Sequence, residues 1–274
     1  MVKKLLLTLL VLCIGALADE RLDEKIRSLI GEQAYAENHA FISIIFSPET
    51  EYFVNDRVDV VKVVKTLKEN GLMNLFFDKP QPLELTFSTN GSPLFFVKLM
   101  GETLRSMGYY RYITEESHLD NSAFVWKIRL STEYATDPSI LREELLKRSC
   151  DIIDIERESN CKWSYNIDMS QAHLDLSPLQ SGMEVTFRRS LEAHWLNVSE
   201  VQRVTISSLK GNNWYPYIAF YDSSLRLLKV YKRDRKTWEV TVTPPRDAVY
   251  VKVADLYTLK NIKDGFRILP RGVK

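Results

Sequence analysis

The residues best suited to chemistry lie in the last third of the chain. Lys210-Gly211-Asn212-Asn213-Trp214-Tyr215-Pro216-Tyr217 is a polar turn running into three aromatics. A pyranose has apolar C–H faces and hydroxyl edges, so its recognition calls for flat aromatic faces beside amide and cationic donors. Trp214, Tyr215 and Tyr217 supply the faces, while Lys210, Asn212 and Asn213 supply the polar groups. The same aromatics would serve equally well as packing in a β-domain core. Further on, Lys229, Lys232, Arg233, Arg235 and Lys236 form a basic run around a hairpin turn. Such a run attracts peptidoglycan carboxylates, lipid phosphates or an acidic protein face, and a solvated turn is its plainer explanation.

Motifs for catalysis are missing. His39, His118, His173 and His194 are scattered without metal-ligand spacing, and there is no His-Glu-x-x-His, Cys-x-x-Cys or Gly-x-Ser-x-Gly. Glu115-Glu116, Glu143-Glu144 and Asp154 with Glu156 are carboxylate pairs. Their positions on helix faces or strand exteriors do not suit the opposed carboxylates of glycoside hydrolysis. No catalytic residue, metal or cofactor is expected, and the balance leans away from an enzyme.

The elements that would carry these residues begin after a secretory signal. Lys3-Lys4, an apolar run from Leu5 to Ala16, and Ala16-Leu17-Ala18 before Asp19 match a charged start, an apolar core and a small-x-small cleavage site. Residues 1–18 are therefore expected to be removed. The run is shorter than the roughly 20 residues a bilayer span needs, so no transmembrane anchor is expected after cleavage. Only Cys150 and Cys161 would remain in the mature chain, which suits a bacterial periplasm better than a eukaryotic secreted domain. In that oxidising space the two are expected to pair, contributing ~3 kcal/mol through loop closure, although one follows a helix and the other starts a strand. Charge is unevenly divided: residues 19–194 carry about nine more acids than bases, and residues 195–274 about eight more bases than acids. Two modules are implied, with the basic one fitted to an acidic surface or to its acidic neighbour. Export and near-zero net charge argue against a nucleic acid partner.

Residues 19–172 read as an α+β module of repeated helix–β-hairpin units on an antiparallel sheet. Leu22, Ile26 and Ile30 give an amphipathic helix, and Ala40–Phe46 reads as an apolar strand. A helix from Val60 stops at Gly71, before a strand through Leu83, Leu85 and Phe87. A second, from about Pro93 to Met107, precedes Tyr109–Ile113 and Phe124–Leu130. A third, from about Ser139 to Arg148, precedes Ile152–Ile155 and Cys161–Ile167. The last two units superimpose Trp126 on Trp163, both expected on the helix-covered face. A polar linker is expected over residues 173–182. From residue 183 to 274, seven short alternating strands predict an all-β antiparallel sandwich: Met183–Phe187, Val204–Ile206, Tyr217–Tyr221, Leu225–Val230, Trp238–Val242, Val249–Val253 and Phe266–Ile268.

Within this module, Phe220-Tyr221-Asp222-Ser223-Ser224, the strand Leu227–Tyr231, Trp238–Val242 and Pro244-Pro245-Arg246-Asp247-Ala248-Val249-Tyr250 resemble the closing strands of jelly-roll, galactose-binding-like sandwiches. The resemblance covers only this segment. It implies the fold, and sugar or protein binding as the usual work of such modules. The sequence thus predicts an exported periplasmic scaffold or binding protein that docks to an envelope protein or to peptidoglycan or another glycan. Two alternatives stay open: an envelope-glycan enzyme with the sandwich as accessory, and a periplasmic solute-binding protein.

Overall fold

The structure, a computed structural model, describes residues 20–120, 123–188 and 192–274. The expected signal, residues 1–18, lies outside them. Among the described residues the structure is mixed α/β with five α-helices and several largely antiparallel sheets, and the C-terminal part is largely β. Two compact units meet at Ala172/His173.

In the first unit, helix α1 runs through residues 20–30 and buries Leu22, Ile26 and Leu29. Helix α2, Glu32–Ile45, replaces the strand expected at Ala40–Phe46. Its isoleucines favour strands locally, but Tyr35, Ile42 and Phe46 recur at helical spacing and are buried, while Phe41 and Ile44 face solvent. The short hairpin β1 (Phe53–Val54) and β2 (Arg57–Val58) precedes helix α3 (Val60–Glu69). Asp59 caps α3 by accepting from the Lys62 N–H at 3.2 Å, and Val60, Val61, Val63, Val64 and Leu67 form its buried face. Helix α4 (Pro93–Ser106) and helix α5 (Pro138–Leu146) both begin with proline, which has no N–H to leave unpaired at that position.

Five strands form one sheet: β3 (Phe76–Thr89), β4 (Ile113–Leu119), β5 (Phe124–Tyr134), β6 (Asp151–Ser159) and β7 (Lys162–Asp168), in the order β4-β5-β3-β7-β6. Leu83, Leu85, Phe87, Trp126, Ile128, Trp163 and Tyr165 share the buried face. The Phe96 ring of α4 meets Phe124 at 5.9 Å there. The opposite face is polar, with Lys127 bonded to Glu84 (3.0 Å) and Glu115 (3.6 Å), and Arg129 bonded to the same two carboxylates.

Three further expectations change in this unit. The strand after α4 is Ile113–Leu119, not Tyr109–Ile113, because the Tyr109 N–H returns to the Leu104 carbonyl and closes the helix end. The sheet is not wholly antiparallel: β3 and β7 run parallel, since the chain after α5 lays its hairpin on the other side of β3. Cys150 and Cys161 are both free. Cys150 precedes β6 and Cys161 occupies the turn after it, so the nine residues of β6 separate them. At about 3.3 Å per residue that strand spans ~30 Å, whereas a disulfide needs Cα atoms within about 7 Å. Burial pushes the Cys150 thiol up to about 12, and the Cys161 thiol instead meets Gln81 Oε1 at 3.4 Å.

In the second unit, residues 173–182 do not hang free. The Leu174 N–H donates to the Tyr250 hydroxyl (3.0 Å), the Leu179 N–H donates to the Asn197 carbonyl (2.9 Å), and both leucines are buried. Eight strands follow: β8 (Val185–Phe187), β9 (His194–Asn197), β10 (Arg203–Ser208), β11 (Pro216–Tyr221), β12 (Leu227–Lys232), β13 (Glu239–Val242), β14 (Tyr250–Asp255) and β15 (Phe266–Arg271). They form two antiparallel sheets, β13-β10-β15-β8 and β12-β11-β14-β9. Strand β9, too short to show alternation, has no counterpart among the seven expected. One apolar cluster draws on both sheets: Val204, Ile206, Val240, Val242 and Ile268 from one, Leu196, Ile218, Phe220, Val251 and Val253 from the other.

Candidate functional site

Three of the loops that cross between these two sheets leave from the same end, as register shows. Ser208 pairs with Phe266 and Ser207 with Glu239 in one sheet; Tyr217 pairs with Lys232 and Pro216 with Asp255 in the other. The crossings 209–215, 233–238 and 256–265 therefore leave from a common rim. Backbone hydrogen bonds join them: Arg233 N–H to Pro216 O (3.0 Å), Thr237 N–H to Trp214 O (2.9 Å), Leu256 N–H to Tyr215 O (2.8 Å) and Asn213 N–H to Asn261 O (2.9 Å). The aromatic turn and the basic turn, separate in sequence, are neighbours here.

Their residues divide by burial. Trp214 is fully enclosed; its ring meets Phe266 at 4.8 Å and its Nε1–H donates to the Ala254 carbonyl at 2.9 Å. Asn212 is also buried, donating to Gly265 O (2.8 Å) and Ser208 Oγ (3.2 Å) and accepting from the Asp264 N–H (2.9 Å). A stacking platform needs an open face and a sugar ligand needs free amide groups, so neither residue can meet a ligand in the expected way. Gly211, at φ 105°, brings the turn so close to Asp264 that a Cβ would lie 2.5 Å from its carboxylate oxygen.

The open part of the rim consists of other residues. Asn213 Oδ1 accepts from Lys236 Nζ at 2.7 Å, and that ammonium lies 4.7 Å from the centre of the Trp238 ring, which is 55 % exposed. Tyr215, half-buried, meets exposed Tyr257 edge to face at 5.1 Å. The Tyr257 hydroxyl donates to Asp234, and this bond to a carboxylate raises the pKa of the phenol. Asp255 sets the third loop, accepting from the N–H groups of Tyr215 (2.7 Å), Tyr257 (2.9 Å) and Thr258 (3.0 Å) and from Asn261 Nδ2 (3.1 Å). Lys210, Lys232 and Arg235 are exposed, with no ion pair among the described residues, and Arg233 lies 5.7 Å from the Tyr231 ring. Tyr217 stands at the start of β11 on the outward face, and Lys229 is opposite Phe220 on β12, away from the loops.

Sequence reasoning missed Trp238, which reads as a strand residue, and Tyr257 with its loop. The signal available was Leu256-Tyr257-Thr258-Leu259-Lys260-Asn261-Ile262-Lys263, a second mixture of aromatic, amide and lysine between two alternating strands. The chain matches no family model, no curated protein and no solved structure.

The remaining titratable groups do not converge. Among the described residues no group of three His, Cys, Asp or Glu side chains could hold a metal ion. His39 packs on Tyr35, His118 bonds to Glu116 at 3.1 Å, and His194 is buried between Phe187 and Phe266. Burial lowers the pKa of His194, whose Nε2 has no hydrogen-bond partner among the described residues. Of the carboxylate pairs, Glu115 is bound by Lys127 and Arg129, Glu144 by Lys147 and Ser106, and Asp154 by Lys25 at 2.7 Å.

Proposed function

We propose that this chain is an exported, non-enzymatic binding protein of the bacterial cell envelope, whose C-terminal unit docks onto an anionic envelope surface such as peptidoglycan. The observation that carries this reading is the rim: three crossover loops present Trp238 and Tyr257 beside Lys210, Lys232, Arg233, Arg235 and Lys236. Exposed aromatic faces next to unpaired cations suit a polymer that offers sugar C–H faces and carboxylates together. In this reading residues 1–18 are the export signal and the two C-terminal sheets are a jelly-roll-like sandwich. The successions α4-β4-β5 and α5-β6-β7 are repeats of one unit, of which α3-β3 is a reduced version. The N-terminal unit then supplies protein–protein contacts.

The test is co-sedimentation of the mature protein with isolated peptidoglycan sacculi across a salt series. Binding is expected at low salt, to weaken as salt screens the cations, and to fall at least tenfold in a Lys236→Ala/Trp238→Ala variant. Sacculi that leave the protein in the supernatant at low salt, or that hold the variant as tightly, would overturn the reading.

A further inference from the structure

A second binding feature lies in the first unit, at the edge of its sheet. Strand β4 is the edge strand, and its pairing with β5 begins at Ile113 opposite Arg129. β5 continues to Tyr134, so from Leu130 onward it has no partner strand on that side among the described residues. At the far end the Thr132 hydroxyl donates to the Tyr134 carbonyl (3.1 Å) and accepts from the Tyr134 N–H (3.3 Å), which protects that residue as a strand would. The edge between, from Leu130 to Thr132, is left open. A groove of about 730 Å³ lies against it, lined by Tyr110, Arg111, Tyr112, Ile113, Leu130 and Ser131 among others. Tyr110 is 75 % exposed and Ile113 70 %, large apolar groups of the sort proteins cover when a partner is present. Arg111 is exposed and has no hydrogen-bond or ion-pair partner among the described residues, whereas neighbouring Arg129 is held by Glu84 and Glu115.

We propose that this open edge takes the C-terminal segment of a partner protein as an added strand, with the free terminal carboxylate on Arg111. Strand direction selects the terminus. A peptide antiparallel to β5 continues the line of β4 and runs the same way, so its C-terminal end arrives where β4 begins, beside Tyr110–Ile113. A peptide parallel to β5 would bring its N-terminal ammonium to the same place and meet Arg111 with like charge. Main-chain hydrogen bonds to Leu130–Thr132 give affinity; alternate side chains of the peptide rest on Ile113 and Tyr110. The guanidinium–carboxylate pair supplies the selectivity for a free end.

The probe is a six-residue peptide of alternating valine and threonine, labelled at its N-terminus with fluorescein, in two forms: free C-terminal carboxylate and C-terminal amide. Fluorescence anisotropy with the full mature chain is expected to show saturable binding of the carboxylate form and at least tenfold weaker binding of the amide. Arg111→Ala should erase that difference and Arg111→Lys should keep part of it, while amide exchange at Leu130–Thr132 slows on binding. Equal binding of the two forms, no binding of either, or a difference that survives Arg111→Ala overturns the proposal. A concentration-dependent dimer abolished by Ile113→Lys also overturns it, because a second copy would then be the occupant of the edge.

Discussion

In residues 20–172 helices cover one face of a sheet whose other face is a lattice of ion pairs; in residues 173–274 two sheets share one core, and cations are left on the loops between them. The difference follows from what each sheet is packed against. A sheet covered on one face must show the other to water, and there Glu84, Glu115, Lys127 and Arg129 neutralise one another. Two sheets that enclose a common core send every crossing over the ends, where crowded loops and the strand end beside them carry Lys210, Arg235 and Lys232 without ion partners among the described residues. In the second unit Arg226 pairs with Asp222 and Arg267 with Glu184, all four outside the three loops. Charge in the first unit is largely spent on its own fold; in the second it is available to a partner.

The sharpest test of that contrast is to remove a tryptophan from each side of the rim. Trp214→Ala should destabilise the second unit by about 3–5 kcal/mol in urea denaturation, because it empties the core and orphans the Ala254 carbonyl. Trp238→Ala should alter stability by no more than about 0.5 kcal/mol and show its effect in sacculus binding instead. Next in size is Arg142→Ala in the first unit. Arg142 bonds to both oxygens of Asp59 (2.8 and 3.0 Å) and to Asp151 Oδ1 (2.8 Å), so its removal leaves two carboxylates facing each other without their shared cation. A loss of about 2 kcal/mol is expected, read from the same denaturation curves.

A pH titration separates the units further. His194 has a folded pKa below its unfolded value of about 6.5, so the folded state binds fewer protons than the unfolded one in the window below that value. Stability of the second unit should be full above pH 6.5 and decline as pH falls through that window. His194→Phe should remove this part of the acid sensitivity, measured by thermal melting at pH 7 and pH 5. The smallest effect is expected from Glu84→Gln: its carboxylate, held below the usual range by Lys127, is one member of a solvent-facing lattice. The substitution should move the melting temperature by no more than about 2 °C, and less at high salt.

Much of this organisation can be read from the sequence by itself. Alternation in Leu83–Phe87, Phe124–Leu130 and Val249–Val253 marks the strands, because a buried face imposes period two wherever the strand lies. Gly71 and Gly108 mark helix ends, where φ of 75° and 92° suits glycine. The charge division and the two candidate constellations are equally local facts. Tertiary structure alone decided what those constellations are worth. Trp214 and Trp238 look alike in sequence, each an aromatic beside lysine and polar residues. One is drawn inward by a hydrogen bond to Ala254, 40 residues away, and by the ring of Phe266; the other is held on the surface under Lys236. Ala40–Phe46 became helix because Tyr35, Ile42 and Phe46 recur at helical spacing and are all buried, and Cys150 missed Cys161 because a whole strand runs between them. Local pattern fixes which residues are apolar and how often they recur. Which of them meet is set by partners distant in the chain, and only the packed sheets supply those.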